Sequence, residues 1–286
     1  MQSVFMIQKT IGLYNDSLAH SPFNKDTLVI EVANEHVVCL VKSEDDQKVT
    51  AFEFFKIELD NNDWEDVFYE LRTNSGLMDK SYNESQIYYH VAEAILVPAY
   101  KYNNSVIDAY LNLMFGEDEK TVAKTDAITV EEEKIYTIYR INQTLQETIN
   151  RNFLSIQEHH VYNGILNASN MSIKIPESIH VNFYANHCII HAFKNRQLQI
   201  IQSFTFATAD DVLYNIMNVV DKFKLHASNI SLTIGGSLNT NDETFKKLLH
   251  YFKNLRLTVV DVNQSSLEKL STYPLHYFSP FFNLQA

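Results

Sequence analysis

The chain carries one pattern twice. Val32-Ala33-Asn34-Glu35-His36-Val37-Val38-Cys39-Leu40-Val41-Lys42 aligns without a gap on Tyr184-Ala185-Asn186-His187-Cys188-Ile189-Ile190-His191-Ala192-Phe193-Lys194, an offset of 152 positions from Ala33 to Ala185. A second block, Asp63 to Leu71, aligns on Thr208 to Ile216 at an offset of 145. The smaller second offset fits a longer connection in the first copy, around Glu44-Asp45-Asp46, because length changes collect in loops. A repeated β-β-β-α unit of this length constrains the chain to two related halves facing each other across a cleft.

Apolar, β-branched runs give the strands. Thr27 to Ala33 and His36 to Ser43 predict two strands joined at Asn34-Glu35, a tight turn in which Asn tolerates left-handed backbone. Val49 to Leu59 alternates and predicts a third. Asp63 is a candidate N-cap for a helix through Leu71. Gln86 to Val91 and Ala94 to Val97 read as strands, and Ser105 to Phe115 as a helix closed by Gly116. Thr121 to Ile128 and Lys134 to Ile141 read as strands around an acidic turn, Gln143 to Phe153 as a helix, Ile156 to His160 as a strand and Val161 to Ala168 as a helix. After Pro176 the pattern restarts with strands at Ile179 to Tyr184, Cys188 to Phe193 and Leu198 to Phe206, followed by a helix capped by Thr208 and Asp211. Ile230 to Ile234, Asp242 to Phe252 and Leu255 to Val260 complete it as strand, helix, strand. Met1 to Lys25 reads as a helical or irregular lead-in, and Tyr277, Phe278, Phe281 and Phe282 as aromatics that either close the core of the second half, the more ordinary role, or form a partner-binding edge.

Three antiparallel strands, a helix and a parallel strand make the ribonuclease-H-like core. The expected fold is therefore α/β, with two tandem ribonuclease-H-like lobes of the actin-like ATPase architecture, each a mixed five-stranded sheet with flanking helices. The expected division is residues 1–175, the first lobe with an insertion, and residues 176–286, the second. At 286 residues, 45% of them hydrophobic, the chain can bury cores of that size.

Several residues carry a resemblance to a known family. Ile95-Leu96-Val97-Pro98, Tyr110-Leu111-Asn112-Leu113-Met114-Phe115-Gly116, Asp210-Asp211-Val212-Leu213-Tyr214 and His276-Tyr277-Phe278 with Phe282-Asn283-Leu284 resemble domain-of-unknown-function family 3822, bacterial proteins with an actin-like ATPase fold. The resemblance implies a fold and brings no established activity. It also implies where nucleotide machinery would sit: in actin-like ATPases an Asp followed by Gly opens the first hairpin of each half, and the hairpin backbones clamp the phosphates.

Here the corresponding tips read Glu31-Val32-Ala33-Asn34-Glu35 and Asn182-Phe183-Tyr184-Ala185-Asn186, without glycine or aspartate. Only six glycines occur in the chain, roughly a third of average usage. Phosphate-cradling loops need glycine where backbone must approach the ligand. One fragment does match the superfamily: Gly235 and Gly236, with Ser237, follow a strand and resemble the glycine pair that meets adenosine. They are the candidate cofactor-binding residues, although Gly-Gly after a strand is also an ordinary turn.

Other constellations favour structural roles. Glu31 could face a metal, but a carboxylate at a strand edge is more often solvated or hydrogen-bonded. His187 and His191, four apart on one strand face, lack an obvious source of further ligands, as do His159 and His160. Cys39 and Cys188 sit in apolar runs as buried hydrophobes, with no C-x-x-C pair. A ribonuclease-H nuclease needs several acidic residues on the core strands, where only Glu31 and Glu53 stand out.

A formal charge of −12 argues against nucleic acid as a partner. No run of about eighteen apolar residues suggests a membrane span, and no signal peptide is recognisable, so the expected location is the cytoplasm. The expected function is that of a non-enzymatic pseudo-ATPase: a scaffold or adaptor without catalytic residues, metal or cofactor, binding an unknown protein partner or forming a homodimer. The alternatives are a divergent nucleotide-dependent phosphotransferase using ATP and magnesium in the cleft, and a metabolite-binding sensor. Under the phosphotransferase alternative, Gly236→Val is expected to abolish nucleotide binding without unfolding the protein.

Overall fold

A computed structural model describes residues 7–15, 23–58, 64–170, 175–226, 229–258, 260 and 265–284. The first sheet contains β1 (Ile7–Tyr14), β2 (Phe23–Val32), β3 (His36–Lys42), β4 (Val49–Ile57), β5 (Ser81–Tyr89) and, further on, β9 (Gln157–His160), in the order β1-β4-β3-β2-β5-β9. The second contains β10 (Glu177–Phe183), β11 (His187–Lys194), β12 (Gln197–Thr205), β13 (Ser231–Gly236) and β14 (Asn254–Leu257), in the order β12-β11-β10-β13-β14. From β4 onward the two sheets share one plan: two antiparallel pairings, then two parallel ones. A small antiparallel sheet, β6 (Ala94–Pro98), β8 (Glu133–Asn142) and β7 (Thr121–Val130), carries α2 (Ile107–Phe115).

Helix α1 (Trp64–Asn74) and α3 (Gln143–Asn152) cover one face of the first sheet, and α4 (Val161–Asn170) follows β9 directly. Helices α5 (Ala209–Lys222) and α6 (Glu243–Tyr251) cover the outer face of the second sheet. The short α7 (Ser279–Phe282) ends the described chain with Asn283 and Leu284. Thr208 and Asp211 form the expected reciprocal capping box on α5. Asp63, the cap expected for α1, lies outside the described residues.

Three expectations need correction. The first sheet has six strands, because β1 pairs antiparallel with β4 where a helical or irregular lead-in was expected. Only Ile7 and Leu13 of β1 are buried, so its own pattern is weak and the open edge of β4 supplies the pairing. Met1–Met6 and residues 16–22 of that lead-in lie outside the described residues. Second, Asn34 does not adopt left-handed backbone; among the described residues, those that do so in hairpin turns are Gln47, Glu131, Glu132, Asn195 and Arg196.

Third, the C-terminal aromatics do not belong to the second half alone. Phe278, Phe281 and Phe282 share a core with Val38 and Phe52 of the first sheet and Ile189 of the second. Alternation explains the placement: Val38 and Leu40 project to this shared core, whereas Val37, Cys39 and Val41 face α1. Each sheet therefore presents one face to its helices and the other to an aromatic wedge. The Lys42 ammonium donates to the Leu284 carbonyl at its base.

Candidate functional site

The faces that meet the wedge also carry polar residues, and these converge at the hairpin tips. Glu31 on β2 lies on the same face as Val29, His36 on β3 on that of Val38, and His90 follows Tyr88 by two positions; all three polar side chains are buried. The β2–β3 tip closes with Ala33 N–H donating to the His36 carbonyl at 2.9 Å, and the β10–β11 tip with Tyr184 N–H donating to the His187 carbonyl at 2.9 Å. The structural offset between the hairpins is thus 151, from His36 to His187, one less than the offset of 152 read from sequence. A slip of one residue exchanges the faces of a strand. The sequence alignment set Cys188 against His36 and hid the equivalence of the two histidines.

The resulting cluster is continuous. The Glu31 carboxylate Oε1 lies 3.1 Å from His36 Nε2 and 2.8 Å from His90 Nδ1. His90 Nε2 stands 2.9 Å from His187 Nε2. His187 Nδ1 in turn faces two oxygens, Glu35 Oε1 and Asn186 Oδ1, each at 2.9 Å. Aromatic rings hold the imidazoles in place. His36 stacks on Phe54 at 5.3 Å and on Tyr184 at 5.7 Å, Tyr184 stacks on His187 at 4.9 Å, and His90 meets Tyr184 edge-on at 4.4 Å.

Burial alone would push the Glu31 carboxyl up, but the hydrogen bonds from His36 and His90 outweigh it and hold the group down at about 2. Glu35 is likewise pulled below the usual carboxylate range, its His187 contact overcoming burial. Burial pushes His90 down despite the carboxylate beside it.

Glu31 and Glu53 are both fully buried, yet they differ. Glu53 accepts from Lys9, Tyr14, Ser75 and the Gly76 N–H, so both its oxygens are satisfied. Among the described residues, Glu31 Oε2 has no hydrogen-bond partner. The oxygen and nitrogen atoms that Glu31, His36 and His90 offer lie within 4.8 Å of one another, a set able to hold a metal ion. Sequence reasoning singled out Glu31 and His187 but missed His36 and His90. The available signal was strand alternation, which puts both on the core-facing side.

The other candidate residues lie elsewhere. His191 stacks on His180 at 4.6 Å and bonds to Ser169, away from this cluster. Gly235 and Gly236 end β13 and are buried. A Cβ on Gly235 would lie 2.2 Å from Ser279 Oγ, and one on Gly236, at φ +86°, 2.0 Å from the Phe183 carbonyl oxygen. Ser237 N–H donates to the same carbonyl at 2.9 Å. The chain itself thus occupies the space beside both glycines, and Gly236→Val tests folding before it tests ligand contact.

Beside the cluster, a cavity of about 500 Å³ is lined by His90 and His187 together with Glu93, Arg140, Asn142 and Trp64. Arg140 there is paired with Glu93 and donates to the Gly116 carbonyl at 2.8 Å. Among the described residues, no helix is long and apolar enough to cross a membrane.

The profile of one family, "Protein of unknown function (DUF3822)", matches residues 17–255. The chain belongs to that family. Among solved structures, this DUF3822 chain is similar to a Bacteroides thetaiotaomicron protein described as having an actin-like ATPase fold and unknown function. The TM-score is 0.72 at 12% identity, over 82% of this chain and 91% of that one. It is also similar to a chain of a PilM–PilN type IV pilus biogenesis complex, with a TM-score of 0.65 at 9% identity over 90% of this chain and 97% of the other. At such identities the likeness establishes the fold, which is that of the actin-like ATPases, α/β with mixed sheets and flanking helices. No curated protein matches the chain.

Proposed function

We propose that this DUF3822 protein is a non-catalytic scaffold or adaptor that uses an actin-like ATPase fold to bind another protein. In this reading the chain is a tandem of two ribonuclease-H-like lobes, residues 1–175 and 176–286, arisen by duplication. The shared strand plan of the two sheets supports that history. One observation carries the functional reading: Glu35 and His187, at the tips of the two equivalent hairpins, pair at 2.9 Å. In actin-like ATPases those tips clamp phosphates. Here they are bridged by side chains, and neither tip contains the glycine that close backbone approach to a phosphate requires. The aromatic wedge adds to this, because a shared apolar core resists the opening of the sheets that nucleotide exchange would need.

A protein partner is favoured by the PilM–PilN complex, whose similar chain is found in a protein assembly. Self-association into a homodimer falls within the same reading. Titration of the full-length protein with ATP and magnesium in a calorimeter tests it. The expected result is no binding heat, and micromolar affinity would overturn the proposal. Proteins recovered with the chain from its native cells, then shown to bind it directly, would supply the positive half.

A metabolite sensor is the second reading, favoured by the cavity of about 500 Å³ beside the tips, which is large enough for a small ligand. A ligand held there would raise the melting temperature in a thermal-shift screen, whereas a pure scaffold would show no such response.

A further inference from the structure

The hairpin-tip cluster gathers the carboxylates of Glu31 and Glu35 with the imidazoles of His36, His90 and His187. His187 Nδ1 lies 2.9 Å from Asn186 Oδ1 and 2.9 Å from Glu35 Oε1. Of the facing Nε2 atoms of His90 and His187, 2.9 Å apart, one donates to the other. In the tautomer in which His90 Nε2–H is the donor, His90 Nδ1 offers a lone pair 2.8 Å from the Glu31 carboxylate oxygen, an arrangement that a cation between the two would stabilise. Glu31 Oε2, fully buried, has no hydrogen-bond partner among the described residues.

We propose that Glu31, His36 and His90 form a binding site for a divalent transition-metal ion of the zinc class, with His187 and Glu35 supporting it from behind. The donors would be a Glu31 carboxylate oxygen, His36 Nε2 and His90 Nδ1. Ligands around tetrahedral zinc stand about 3.3 Å apart, given metal–ligand bonds of about 2.0–2.2 Å. The separations of 3.1 and 2.8 Å from the Glu31 oxygen need a few tenths of an ångström of opening, and the two imidazole nitrogens lie within 4.8 Å of each other, close enough to swing onto one ion.

A bound ion uses the bare His90 nitrogen as a donor, and the carboxylate beside it supplies either oxygen. A lone extra proton would satisfy the first contact and leave Oε2 stranded. The hydrogen-bond relay behind the site also suits a metal. A ligating imidazole commonly donates its remote N–H to a fixed acceptor, which sets tautomer and ring orientation. His90 does so to His187, which is anchored by Glu35 and Asn186. Tyr184 and Phe54 stack on the rings and limit their rotation. His90 and His187 line the adjacent cavity, which gives an ion its route in and leaves the fourth coordination position on that side. Two imidazoles and one carboxylate suit zinc, or cobalt as its spectroscopic substitute, better than magnesium or calcium, which favour all-oxygen shells. The site does not depend on the scaffold reading and holds for either proposed function.

The test uses the full chain stripped with a chelator, then titrated with Zn²⁺ and, separately, with Co²⁺. One equivalent of zinc should bind per chain with a dissociation constant below about a micromolar, and the cobalt form should show X-ray scattering from two imidazoles and no sulfur. Glu31→Gln, which keeps the side chain's shape, should weaken zinc at least tenfold, and so should His36→Phe, which keeps the stack between Phe54 and Tyr184. The wild-type stoichiometry and cobalt spectrum need no variant, so a misfolded mutant does not spare the proposal. Substoichiometric zinc, a shell lacking two imidazoles, undiminished binding by the folded Glu31→Gln variant, or a metal-free protein with a stable imidazolium by nitrogen NMR would each overturn it.

Discussion

His90 Nε2 lies 2.9 Å from His187 Nε2, joining two sheets through residues 97 positions apart in the chain. His90 follows the first sheet's parallel strand β5, and His187 opens the second sheet's β11, so this contact ties the two sheets together beside the hairpin tips. Glu31 and Glu35 bracket the pair from the first sheet. The protein thus places a chain of buried imidazoles between the two hairpin tips.

Replacing His187 with leucine should loosen the junction. In the metal-free protein, His187→Leu should cost about 1–3 kcal/mol, because Glu35 and the remote His90 nitrogen lose a buried partner. Urea unfolding reads the loss. Hydrogen exchange should quicken at the Tyr184 amide, which closes the second tip. Unchanged exchange there would mean that the imidazole pair does not hold the tips.

The glycine pair offers a cleaner test of packing. Gly235→Ala should destabilise by about 1–3 kcal/mol, since the new methyl meets Ser279 Oγ at 2.2 Å. Ser279→Gly removes that obstacle, so the double variant should recover most of the loss and show a favourable coupling energy in denaturant titrations. Gly236→Ala should be worse and not rescued, because its obstacle is the Phe183 backbone and its φ is +86°. Additive losses at 235 and 279 would refute the assigned contact.

The aromatic wedge should dominate stability out of proportion to its length. Phe282 is 5% exposed and packs on Phe52 and Phe278 at 5.6 and 5.4 Å between ring centres. Phe282→Ala should cost about 3–5 kcal/mol. Since both sheets share this core, thermal unfolding should remain a single transition in the wild type and broaden or split in the variant. A cost below about 1 kcal/mol would show the wedge to be dispensable.

His160 predicts acid sensitivity. Its Nδ1 accepts from the Tyr162 N–H and its Nε2–H donates to the Val91 carbonyl, so the folded state holds one neutral tautomer. Burial pushes the ring down to about 3, against the opposing Val91 hydrogen bond. The unfolded ring titrates near 6.5, so between about pH 6.5 and 3 the unfolded chain binds the extra proton. The stabilising contribution is whole above that window and falls by about 1.4 kcal/mol per pH unit as pH drops through it. His160→Gln should flatten this part of the stability profile; an identical slope in wild type and variant would rule the ring out.

Most of the architecture was legible in the chain, because local pattern decides it. Alternation in Val49–Ile57, the Thr208 and Asp211 capping box and the restart after Pro176 each reflect interactions within a few residues, and the strands and helices formed where those patterns lie. Strand β1 escaped notice because only its pairing with β4 makes it a strand. The role of the C-terminal phenylalanines escaped because an apolar tail fits either half equally well until both sheets are in place.

The candidate site shows the same division most sharply. Polar residues at core-facing positions of β2, β3 and β11 could be read from alternation, and Glu31 was, while His187 was placed only on the same strand face as His191. That Glu31, His36, His90 and His187 meet is a matter of sheet pairing and of a register set at 151, not 152. Side chains 59 and 97 positions apart come within hydrogen-bond range only through those long-range contacts. Periodicity along the chain assigns a residue to a face; which faces are brought together, and which charges are left unanswered there, is decided by the packing of one sheet against the other.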